Sequence, residues 1–180
     1  MSDISFDFSQ RDLWLMDQAA LNGIAIPKIA MHVSRQYNFP FPITCVVLER
    51  ESMGGNNVYG GDDTIWQGHH LRKVTQQNYA EYRVERDWHK KAQGVGPMQL
   101  TFIPLQDEAD AMGGCWNPYV NVLTGVNFLD KKLRAYEADE NNSREDAIFK
   151  TFVDWNSEAY ANAVVNVALP KWRGILKNPH

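Results

Sequence analysis

Leu13, Trp14, Met16, Ala20 and Leu21 recur at helical spacing between Ser9 and Gly23. Ser9, with Asp12 three residues on, has the form of a capping box, so the pattern predicts a first helix from there to Gly23. Pro27 suits the first turn of a second helix running to about Tyr37, because proline fixes φ near the helical value where no N–H partner is needed. Pro42 does the same for a third, in which Ile43, Val46 and Val47 fall at i, i+3 and i+4. That helix carries Glu49 and Glu51 at its end. The run GGNNVYGGDDTIWQG, from Gly54 to Gly68, is rich in residues that tolerate positive φ, with a few β-formers between them. It predicts loop plus short strands.

Thr75 is a cap for a helix through about Lys91, GVGPMQLT breaks it, and Pro104 opens a short helix ending at Gly113-Gly114. Asn117-Pro118 reads as an N-cap and N1 pair, after which Val122, Val126, Leu129 and Leu133 repeat as one apolar face of a long buried helix. Ser143 and Asp146 form a second capping-box start ahead of Ile148, Phe149, Phe152 and Val153. A last helix is expected to hold Tyr160, Val164, Val165 and Val167 before Pro170. The sum is a predominantly α-helical chain with a small irregular β region after the third helix, in the α+β class. No repeat, linker or low-complexity segment divides it, so residues 1–180 are expected to form one domain.

Composition narrows the function. Eighteen basic and twenty-two acidic residues give a formal charge of −4 with no block of like charge, so the footprint of a nucleic-acid binder is missing. Apolar runs are only a few residues long, and MSDISFDFSQRDLW has neither a positive n-region nor an apolar h-region. The expectation is a chain that neither inserts into a membrane nor carries its own secretion signal. Cys45 and Cys115 are read as free thiols, a single bridge being the alternative.

The third helix poses the chemical question. Acids at a helix C-terminus face the negative end of the backbone dipole, which disfavours the charged form by a few tenths to about 1 kcal/mol. A carboxyl that must donate a proton near neutral pH uses such surroundings or apolar burial. Glu49 and Glu51 are about 200° apart around the helix, so both cannot point into one pocket. Position alone does not choose between them, and two solvated helix-end acids would look the same.

Four stretches, in order, settle the choice by resemblance: ERES with MGGNN, GVGPMQLT, NPYVNVLTGVNFLDKKL and FKTFVDWNSEAYANAVVNV. They resemble the landmarks of the soluble lytic transglycosylase and goose-type lysozyme group of the lysozyme-like superfamily, over about residues 42–168, with residues 1–41 as helices packed on that unit. In that group a Glu-Ser pair closes a helix, Gly-x-Met-Gln-Leu forms a strand-like wall, an Asp-Pro-x-x-Asn-x-x-x-Gly helix packs beneath, and a Tyr-Asn pair precedes a Tyr-containing helix. Glu51-Ser52 matches the Glu-Ser pair, which makes Glu51 the implied acid and Glu49 a bystander. The chain departs from the pattern with Pro97 before Met98-Gln99, Trp155 in place of tyrosine before Asn156, and Asn117 in place of aspartate before Pro118. The stretch between Glu51 and Gly96 is also longer than the compact pattern and includes an added helix. The muramidase domains of bacteriophage endolysins look similar in their glycine- and asparagine-rich run and embedded Met-Gln-Leu.

The resemblance implies a lysozyme-like fold and cleavage of the β-1,4 bond between N-acetylmuramic acid and N-acetylglucosamine in peptidoglycan, with no cofactor or metal. Glu51 would protonate the glycosidic oxygen. An inverting hydrolase also needs a second carboxylate roughly 6.5–9.5 Å away, for which Asp62 and Asp63 are candidates if they are not simply a turn pair. A lytic transglycosylase needs no such base, because the sugar's own 6-hydroxyl attacks and an anhydro product forms. Met98 and Gln99 are expected to line the cleft, Asn156 and Tyr160 to contact sugar or orient the acid, and Ser52 to hydrogen-bond near the acid or cap the helix end. The expected partner is the glycan strand, acted on by a monomer. An endolysin would wait in the host bacterial cytoplasm for a holin, or ride in the virion, and with an acidic net charge its wall affinity would come from the cleft or from a wall-binding domain. Rival chemistries are an amidase using His69, His70 and His89, a peptidase using Cys45 or Cys115, and a non-catalytic glycan-binding module. The histidines lack the His-x-x-x-His and His-Glu-x-x-His spacings of a metal site.

Overall fold

A computed structural model describes residues 7–57 and 74–177, and these are predominantly helical. The two capping boxes form as local chemistry dictates. Ser9 and Asp12 exchange side-chain and backbone hydrogen bonds at the start of α1 (Gln10–Leu21), and Ser143 and Asp146 do so ahead of α7 (Arg144–Trp155). Prolines sit in the first turns of α2 (Pro27–Gln36), α3 (Phe41–Ser52), α5 (Ile103–Ala111) and α6 (Pro118–Glu137). Asn117 caps α6, its side-chain oxygen accepting from Tyr119 N at 3.0 Å.

α4 (Tyr79–His89) begins later than Thr75, because Asn78 is its N-cap and accepts the Thr75 N–H at 2.8 Å, so the residues before it form a turn. The last helix is not one helix ending before Pro170. α8 (Glu158–Ala163) runs into a π-helical turn, Val164–Ala168, and then α9 (Leu169–Ile175), which contains Pro170. A proline has no N–H to give the preceding turn and its ring crowds the carbonyl four residues back. The wider π turn just before it makes room for both defects.

α3 lies at the centre. Ile43 through Leu48 are all buried, so this helix is apolar on every side and packs between α2 and α9. A continuous core runs from Met16 in α1 to Leu176, gathering Val122, Val126, Leu129 and Leu133 of α6 and Ile148 and Phe152 of α7. The N-terminal helices belong to it: α1 packs on α2, and α2 on both α3 and α6.

The expected β region is not seen among the described residues. Residues 54–57 form tight turns, with Gly54 and Gly55 at φ +78° and +93°, and residues 58–73 lie outside the described part. The β pairing that is described is the single antiparallel bridge Val95–Leu100. Among the described residues no helix is long and apolar enough to cross a membrane.

Candidate functional site

The four stretches singled out in the sequence meet around the C-terminal end of α3. Ser52, wholly buried, donates its hydroxyl to the Pro97 carbonyl at 2.6 Å and accepts the Gly55 N–H at 2.9 Å. It thereby ties the helix end to the 93–100 hairpin. Asn121, one turn into α6, does the same from below. Its Oδ1 accepts the Met98 N–H at 2.8 Å, and its amide donates to the carbonyls of Val95 at 2.8 Å and Cys115 at 3.0 Å.

Two glycines make these approaches possible. Gly96 has φ +71°, and a Cβ there would lie 2.5 Å from the Asn121 amide. A Cβ on Gly125 would come within 2.8 Å of the Met98 side chain. Met98 is therefore a buried plug between hairpin and α6; it does not line the cleft. Pro97 supplies a carbonyl to Ser52, and Asn117 caps α6 as an aspartate would.

Glu51 stands half-buried on the wall of an open cleft of about 700 Å³. Gln99, Phe102, Phe128, Lys132, Trp155 and Asn156 line the same space. Gln99 reaches it from a left-handed backbone (φ +47°), braced by its own side chain, which donates to the Gly96 carbonyl at 2.9 Å. Trp155 donates its indole N–H to Glu51 Oε1 at 3.0 Å. The Glu51 carboxyl thus has a neutral donor. Phe102 is more than half exposed and offers a free ring face at the cleft edge.

Tyr160 stays out of the cleft lining and behind Glu51. Arg50 stacks over its ring, 4.5 Å from the centroid, and its buried hydroxyl makes no hydrogen bond of good geometry. Burial, and then the charge of Glu51, hold the phenol far above its ordinary pKa. The result is a second neutral donor standing beside the acid.

Glu49 is held elsewhere. It pairs with Lys171 and accepts the Trp172 indole N–H at 2.6 Å, fastening α3 to α9 away from the cleft. Asp62, Asp63, His69 and His70 lie outside the described residues. Both cysteines are free and buried, and burial pushes both thiols up, Cys115 to about 12, which leaves them protonated and unreactive. Among the described residues no group of three or more metal-ligating side chains assembles.

The hairpin wall has a third support that sequence reasoning missed. Gln106 of α5 is buried and donates to the carbonyls of Leu100 at 2.7 Å and Gln93 at 3.0 Å, across the hairpin. Its Oε1 accepts from Tyr82 at 3.0 Å and from Arg86 at 3.3 Å, both on α4. The added helix therefore buttresses the cleft wall. Lys132 and Asp154 were also missed as cleft residues, although both stand inside the quoted stretches. Their signal, one lysine among several and one aspartate before Trp155-Asn156, does not differ from that of any solvated charge. No protein-family model matches the chain, and neither does any curated protein or solved structure.

Proposed function

We propose that this chain is a peptidoglycan muramidase of lysozyme-like fold, with Glu51 as the general acid that protonates the glycosidic oxygen between N-acetylmuramic acid and N-acetylglucosamine. The observation that carries the reading is Glu51 itself: a half-buried carboxyl on the wall of a cleft large enough for sugar units, hydrogen-bonded by a neutral indole. In this mechanism the glycan lies along the cleft with sugar faces against the exposed Phe102 and the half-buried Phe128 and Trp155, and Gln99 and Asn156 offer amides to hydroxyl and acetamido groups. As the bond breaks, the proton leaves Glu51. The nascent carboxylate then takes hydrogen bonds from the neutral donors Trp155 and Tyr160, which stabilise it as it forms. The oxocarbenium-like sugar is resolved either by water, with Asp62 or Asp63 as base, or by its own 6-hydroxyl. Delivery as a phage endolysin, released from the host cytoplasm to the wall, belongs to the same proposal.

Glu51→Gln preserves shape but has no proton to donate, so the variant should fold normally and lose glycan cleavage by at least about a hundredfold. Mass spectrometry of digested wall is expected to show new muramic ends, reducing for hydrolysis or anhydro for transglycosylation. Full activity in the variant, or release of peptides without cut glycan, would end the muramidase reading.

A further inference from the structure

Lys132 and Asp154 line the same cleft as Glu51 but take no part in that chemistry. Lys132 projects from α6 and Asp154 from the last turn of α7, with Nζ and Oδ2 2.7 Å apart. Tyr136, one turn along α6, donates its hydroxyl to the same Oδ2 at 2.9 Å. The carboxylate is thus gripped through one oxygen, and it fixes the position of the ammonium. The Asp154 hydrogen bond also holds the Lys132 ammonium above its ordinary pKa, so it is charged throughout the neutral range.

A strip of rings separates the pair from the acid. The Trp155 indole is bonded to Glu51, the Phe128 ring lies 5.9 Å from it, and the Lys132 ammonium lies 5.7 Å from the Phe128 centroid. The ammonium thus adjoins the far ring of that strip and pairs with Asp154, not with Glu51. As a staple the pair would add little, because α6 and α7 already pack through their buried apolar residues and a partly exposed ion pair contributes weakly to stability. Lys132 is also the one cation among the described lining residues. A neutral sugar would offer it hydroxyl or acetamido oxygens but no opposite charge, and charge-assisted hydrogen bonds are the stronger kind. A carboxylate would engage the ammonium donors that Asp154 leaves free.

We propose that Lys132 is a specificity-determining residue that binds a carboxylate carried on muramic acid, from the lactyl group or the stem peptide, with Asp154 and Tyr136 positioning its ammonium. The inference rests on the muramidase reading and adds a charged subsite to it, beyond the aromatic strip from Glu51.

The test measures kcat/KM on three substrates: stem-bearing strands, stem-free strands with free lactyl carboxylates, and the same stem-free strands with those carboxylates converted to amides. The wild-type chain should prefer carboxylate-bearing over amidated strands by about tenfold. A preference confined to stem-bearing strands assigns the contact to a stem-peptide carboxylate; one confined to stem-free strands assigns it to the lactyl group, whose carboxyl is tied up in an amide when a stem is present; and one shown by both means that the ammonium takes either carboxylate. Lys132→Met should abolish the preference and Lys132→Arg should retain most of it, with thermal unfolding confirming that both fold. Equal cleavage of all three substrates by the wild type, or an undiminished preference in Lys132→Met, overturns the subsite and leaves the muramidase reading standing. No glycan cleavage of any substrate removes both.

Discussion

Glu49 and Glu51 leave the same helix two residues apart and each accepts an indole N–H, yet their surroundings assign them different work. Glu49 is closed off by Trp172 and by the Lys171 ammonium, each of which engages one of its two oxygens. Glu51 has the neutral Trp155 as its donor and a cavity in front of it. The contrast gives a paired expectation. Glu49→Gln should lower stability by up to about 1 kcal/mol, the usual worth of a partly exposed pair, and leave turnover unchanged. Trp155→Phe keeps most of the ring packing but removes the donor, so it should cost about tenfold in kcat with little change in unfolding temperature. Thermal melts and turnover of both variants decide the matter. Loss of activity in the first and none in the second would invert the assignment of the acid.

Among the elements, the 93–100 hairpin depends most on partners distant in sequence. Its carbonyls and N–H groups are satisfied by Ser52 of α3, Gln106 of α5 and Asn121 of α6. Asn121→Ala would leave the Met98 N–H and the Val95 and Cys115 carbonyls without that partner in a buried place, at a cost of about 2–4 kcal/mol. Differential scanning calorimetry should register this as a fall of roughly 5–12 °C. Asn121→Asp can accept from Met98 but cannot donate, so it should not restore the wild-type value. The same element shows what was legible beforehand. Capping boxes and first-turn prolines act within four residues, so α1, α2, α3, α6 and α7 could be read from spacing. Glu51 and Ser52 could be read through an ordered set of short motifs. The Trp155 to Glu51 bond spans 104 residues, and nothing in the sequence marks that indole as its donor. Met98 was expected in the cleft because strand alternation does not reveal which face the cavity takes. The short strands expected over residues 54–68 fall mostly outside the described residues, and the strand-like wall expected at Met98–Leu100 is held by side chains and a single bridge.

At the scale of the whole molecule, charge opposes the proposed task. A chain of net charge −4 approaching an anionic wall is repelled at long range, whereas the contact proposed for Lys132 acts only once the glycan is inside the cleft. Ionic strength separates the two. At about 10 mM salt the Debye length is about 30 Å, comparable with a small protein's diameter, and at about 100 mM it is about 10 Å. Screening should therefore remove the repulsion well before it weakens a short, partly desolvated ion pair. Lysis of whole wall by this chain should rise severalfold between these salt concentrations, while kcat/KM on short soluble strands stays within about twofold. Parallel turbidity and product assays across the salt range measure both. A lysis rate that falls monotonically with added salt would mean that a local basic face, and not the overall charge, governs the encounter with the wall.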